Sequence, residues 1–133
     1  MPGRVNRKPL LSVMAVAEGA TGVALLVAPA MLVELLLGTG LDATAATVAR
    51  VAGVALLALG IACWRASADA ASDAARGLVA AMLVYNFGVS AVLMLAAFRH
   101  GLSGIGLWPV AIAHIAIAGW CLAFILAPPR ESA

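Results

Sequence analysis

The sequence predicts an all-α, polytopic membrane protein: a single domain over residues 1–133, folded as a four-transmembrane-helix bundle. Three observations carry that reading. Hydrophobic residues make up 65% of the 133-residue chain and charged residues only 11%, against roughly 45–50% and 25% in soluble domains. Mean hydropathy is +1.10, and a soluble core of this size could not hide so much apolar surface, because a small domain still exposes a large share of its chain. Finally, four apolar stretches each reach the roughly 20 residues needed to cross a hydrocarbon core of about 30 Å. The lipid bilayer is therefore the first partner. Formal net charge is +2 and the basic residues are scattered, so there is no basic face to hold a nucleic acid.

The first span runs from about Leu10 to Ala28 and contains LSVMAVAEGATGVALLVAPA, with Glu18 in its middle. Its basic start and the small residues Ala28, Pro29 and Ala30 imitate a secretory signal. The apolar run is about twenty residues, however, where a signal uses about 7 to 15, and it carries a glutamate, so it reads as a retained span. The stretch PAMLVELLLG, Pro29 to Gly38, remains. Pro29 interrupts the helical hydrogen-bond ladder, and the predicted structure is a short amphipathic segment at the interface with Glu34 turned to water. One long helix kinked at Pro29 is the alternative.

The second span covers about Ala43 to Trp64, the third about Gly77 to Phe98, and the fourth about Ile105 to Ala127, where Pro128 and Pro129 end it. Between spans two and three, RASADAASDAAR reads as a short polar turn. Asp69 and Asp73 within it have the spacing of a solvated helical surface rather than of a cation site. Orientation follows from the flanks: Arg4, Arg7, Lys8, Arg65, Arg76 and Arg130 fall on one side, whereas Arg99 alone lies in the opposite loops and Arg50 sits within span two. The excess of Lys and Arg predicts both termini in the cytoplasm of a multi-pass protein of the cell (inner) membrane.

Each span carries one awkward residue deep in its apolar run. Counting about 1.5 Å per residue from the expected outer ends, Arg50 lies roughly 10 Å down, His114 roughly 13, Glu18 roughly 15 and Asn86 roughly 18. Helical spacing puts Arg50 on a face with Gly53, Leu57 and Gly60, Glu18 with Thr21 and Gly22, Asn86 with Met82 and Ser90, and His114 with Ala111, Ala118 and Cys121. Such small-residue faces are where helices approach closely in membranes. Glu18, Arg50, Asn86 and His114 are thus the expected ligand-binding residues, with Arg50 meeting Glu18 as a buried pair. Two readings fit them. As interhelical glue they would contribute about 0.6 to 2 kcal/mol each; as a functional centre they would repay an insertion cost of about 2.5 to 3.5 kcal/mol per charge.

No cofactor and no metal are expected. His100 and His114 are displaced along the membrane normal, which argues against bis-histidine haem ligation, and Arg50 beside Glu18 and His114 would repel a cation. Cys63 and Cys121 lack a CxxC partner and read as buried small hydrophobes. Trp64, Trp108 and Trp120 read as interfacial or packing aromatics.

The glycine-containing first span, the proline at its end and ARVAGVALLALG opening the second span resemble small four-helix integral membrane proteins of the DoxX-like kind, over the first half of the chain. The resemblance implies the four-helix membrane fold and leaves the role open. Three functions remain: a binding module that holds the polar end of a small lipophilic ligand; a membrane enzyme using Glu18 and His114 in acid–base chemistry on a lipid-soluble substrate, by isomerisation or cyclisation; or a non-catalytic accessory subunit of a larger membrane complex. A homo-oligomer is compatible with each.

Overall fold

The computed structural model describes residues 6–127. These form five helices: α1 (Lys8–Val27), α2 (Pro29–Leu37), α3 (Ala43–Ala68), α4 (Asp73–His100) and α5 (Leu107–Leu126). Four of them, α1, α3, α4 and α5, are long and apolar enough to cross a membrane, and the described residues are all-helical, with no strand, as expected. Arg4 and Arg130, together with the Pro128 and Pro129 stop, lie outside the described residues.

Helix ends follow local chemistry. The carboxylate of Asp42 accepts from the Ala45 amide at 2.7 Å and the hydroxyl of Ser72 from the Ala75 amide at 3.1 Å, so α3 and α4 begin on side-chain N-caps. Ser72 also donates to the Asp69 carbonyl at 2.8 Å, which closes the polar turn into the four residues between α3 and α4. The two aspartates there are occupied separately. Asp69 follows the last turn of α3, and Asp73 pairs with Arg76 on the exposed first turn of α4. At the far end of α4, Gly101 takes a left-handed φ of 65°, and amides 101 and 102 bond back to the carbonyls of Ala97 and Ala96, a Schellman-type stop that glycine alone accepts without strain.

The break after α1 resolves the two readings of PAMLVELLLG. Ala28 leaves the helical region at φ −137°, ψ 59°, and Pro29 starts α2 as a separate helix, because proline has no amide to continue the ladder. The other end of α2 docks on the loop before α5. The Ser103 amide donates to the Leu37 carbonyl at 3.2 Å and the Gly106 amide to the Leu35 carbonyl at 2.8 Å. Gly104 makes that approach feasible, since a Cβ there would overlap the backbone of Leu35 and Leu36.

The bundle is built from two closely packed helix pairs, α1 with α3 and α4 with α5. In the first, the helices touch backbone to backbone: a Cβ on Gly22 would sit 2.6 Å from the Leu57 amide, and one on Gly60 would sit 2.7 Å from the Gly19 amide. These are the glycine faces read from the sequence. The second pair closes through small and hydroxyl residues, with Ser90 of α4 against Ala111 of α5. Between the pairs lies a core of Leu10, Leu11, Met14, Cys63, Val79, Met82 and Cys121. Outward, Val16, Val84, Phe87 and Phe98 are each at least 66% exposed, a surface suited to hydrocarbon rather than water.

Candidate functional site

The buried polar side chains gather on α1, α4 and α5. On α4 the positions Ala75, Val79, Met82, Asn86, Ser90 and Leu93 recur at three and four residues and are all buried, so Asn86 is aimed at the bundle interior. On α5 the matching seam is Leu107, Ala111, Ala118 and Cys121, with half-buried His114 between. On α1 Glu18 follows Leu11, Met14 and Ala15 along the buried stripe and is itself only 3% exposed.

Two hydrogen-bonded pairs result. The Tyr85 hydroxyl donates to Glu18 Oε2 at 2.8 Å, joining α4 to α1. The His114 Nδ1 meets Asn86 Oδ1 at 2.7 Å, joining α5 to α4. The rings of Tyr85 and His114 stand edge to face, 5.8 Å apart at 75°, so the two pairs abut. Asn86 is anchored in turn: its Nδ2 donates to the Met82 carbonyl at 2.7 Å. One turn on, Ser90 Oγ lies 2.9 Å from the Asn86 carbonyl and 3.3 Å from that of Ala111. Among the described residues no buried side-chain nitrogen or oxygen lacks a partner, as burial in an apolar medium demands.

Glu18, Asn86 and His114 therefore come together, and Arg50 does not join them. Its side chain is exposed and its Nε reaches the Leu26 carbonyl at 3.4 Å. The expected Glu18–Arg50 pair is corrected by the packing register. Depth counting assumed that spans one and two end at the same level, but the contacts of Gly22 with Gly53 and Leu57, and of Gly60 with Ala15 and Gly19, slide α3 along α1. Arg50 is thereby level with Leu26, eight residues and about 12 Å beyond Glu18 along the helix axis. There it meets the Leu26 carbonyl in the last turn of α1, and a cation at a helix C-terminus is favourable. Glu18 takes Tyr85 instead.

Tyr85 is the residue that sequence reasoning missed. Two signals were present: it is the chain's one tyrosine, and it lies in mid-span beside Asn86, away from the interfacial belts where tyrosine ordinarily sits. A buried phenol needs a hydrogen-bond partner, and Glu18 supplies it.

Tyr85 also lines an open groove of about 360 Å³ on the face of α4, with Val84, Gly88, Val89, Val92 and Leu93. It is the one lining residue with a polar side chain. A larger groove of about 490 Å³ runs along α1 past Ser12, Val13, Val16 and Ala17, but none of those four residues is ionisable. Among the described residues no cluster of three or more His, Cys, Asp or Glu is disposed to hold a metal ion. Both cysteines are free and buried in the core. Compared with known protein families, with curated proteins and with solved structures, the chain matches none.

Proposed function

We propose that this chain is a multi-pass protein of the cell (inner) membrane, both termini cytoplasmic, that binds the polar end of a small lipophilic molecule at the abutting Glu18–Tyr85 and Asn86–His114 pairs. Kinship with the small DoxX-like proteins is part of the same proposal. The observation that carries it is the α4 groove. It is apolar along its length, it falls in the size range of small-molecule sites, and its one polar side chain, Tyr85, is hydrogen-bonded to a buried carboxyl group. A carboxyl group used only as glue would not need its partner to line an open groove. Arg50 is left out of the binding set, because it caps the end of α1. The basic flanks Arg7, Lys8, Arg65 and Arg76 support the orientation.

Gentle purification followed by mass spectrometry of extracted small molecules tests the reading. A lipophilic species should accompany the wild type and Arg50→Met and be lost from Tyr85→Phe combined with Glu18→Gln. An extract that is the same from all three proteins would refute it.

A further inference from the structure

The hydrogen-bonding capacity left at the site restricts what the ligand's head group can be. The Asn86 amide is oriented without ambiguity: a carbonyl oxygen only accepts, so the nitrogen must face Met82 and Oδ1 must face His114. Oδ1 in turn only accepts, so His114 Nδ1 carries the hydrogen, and in the neutral imidazole Nε2 is then an acceptor. The single hydrogen of the Tyr85 hydroxyl is directed to Glu18 Oε2, which leaves lone-pair capacity on the phenolic oxygen. Among the described residues Glu18 Oε1 and His114 Nε2 make no hydrogen bond, and neither atom is fully buried. The phenolic oxygen, the one polar side-chain atom on the groove, is thus left as an acceptor.

Resting on the binding function proposed above, we infer that the ligand is a lipophilic alcohol or phenol whose hydroxyl donates its hydrogen to the Tyr85 phenolic oxygen while its hydrocarbon lies along the α4 groove. A hydroxyl can supply that hydrogen, because the one hydrogen of Tyr85 is already committed to Glu18 Oε2. A ketone or ether only accepts and would set its lone pair against that of the phenolic oxygen. The groove suits the tail: Val84, Gly88 and Val92 recur every four residues on one face, about 12 Å end to end. Gly88 keeps it open, since a Cβ built there meets no heavy atom within 4 Å.

Because Tyr85 is the only tyrosine, biosynthetic 3-fluorotyrosine gives the full chain a single fluorine resonance at the site. The labelled protein, in nanodiscs of saturated phosphatidylcholine, is titrated with 1-decanol, 2-decanone and methyl nonyl ether. We expect a saturable shift with the alcohol, half-complete at a mole fraction about tenfold below that of either analogue, the factor one hydrogen bond supplies. Gly88→Leu, whose Cβ meets open space and whose side chain extends into the groove, should remove the saturable shift while keeping a folded, single resonance. Equal saturation by the ether or ketone overturns the donor assignment and leaves the binding function standing. Saturation that persists in Gly88→Leu overturns the groove. A linear drift with all three compounds, the mark of simple partitioning, overturns the binding function itself.

Discussion

Replacing Gly22 by alanine tests whether backbone contact holds the first helix pair together. The added Cβ would lie 2.6 Å from the Leu57 amide nitrogen, 2.7 Å from the Gly53 carbonyl oxygen and 3.0 Å from the Leu57 Cα, where ordinary contact begins at 3.4 Å. All three atoms are backbone, so no side chain can turn aside, and α1 and α3 must part by about 0.8 Å, the difference between 3.4 and 2.6. Helix association in lipid relies on such packing rather than on a hydrophobic drive, and overpacking a close contact costs about 1 to 3 kcal/mol. Gly60→Ala strains the same interface, its Cβ lying 2.7 Å from the Gly19 amide. Once one substitution has parted the helices the second meets less resistance, so the double variant should lose less than the two singles added together. Gly88→Ala is the control, because open space surrounds that position and alanine is the better helix former. Cys63 and Cys121, the only cysteines and fully buried, supply the assay: a thiol-reactive fluorophore labels them as the protein unfolds on heating. Gly22→Ala should melt about 3 to 9 °C below wild type, at roughly 3 °C per kcal/mol, and Gly88→Ala at or above it. Equal melting of Gly22→Ala and wild type, or an equal drop in Gly88→Ala, would refute the backbone-contact argument.

Tyr85→Phe leaves the buried Glu18 Oε2 without its donor and should destabilise by about 1 to 3 kcal/mol, whereas Glu18→Gln, which can still accept from Tyr85, should cost less; the same melting assay checks the order. Asn86→Leu and His114→Leu should each destabilise, and their double-mutant cycle should show a coupling of about 0.5 to 3 kcal/mol, with zero coupling counting against the Asn86–His114 bond. Arg50→Met should cost less than about 1 kcal/mol and add to Glu18→Leu within about 0.5 kcal/mol; strong coupling between them would restore the ion pair that the packing register removes. For topology, a reporter fused after Ala133 should be cytoplasmic and one inserted near Gly40 external, and an external carboxyl terminus would overturn the orientation.

The sequence by itself determined the membrane class and the four long helices, and it singled out three of the polar residues that the structure brings together. Span length and hydropathy are local quantities, so α1, α3, α4 and α5 fall within about four residues of where the apolar runs put them. An interruption at Pro29 is equally local, because its missing N–H acts wherever that residue stands, but whether the helix kinks or restarts as a separate α2 was decided by the structure. Glu18, Asn86 and His114 were legible because a polar group in a long apolar run is costly and must turn inward. Which groups pair was decided only by the tertiary structure. Hydrogen-bond partners depend on how far one helix slides along another, and that register is set by the glycine contacts of α1 with α3, to which a count of depth from each helix end is blind. The slide carried Arg50 to the end of α1 and left Glu18 to Tyr85, a residue whose ring looks like any packing aromatic until a second helix brings a carboxyl group to its hydroxyl.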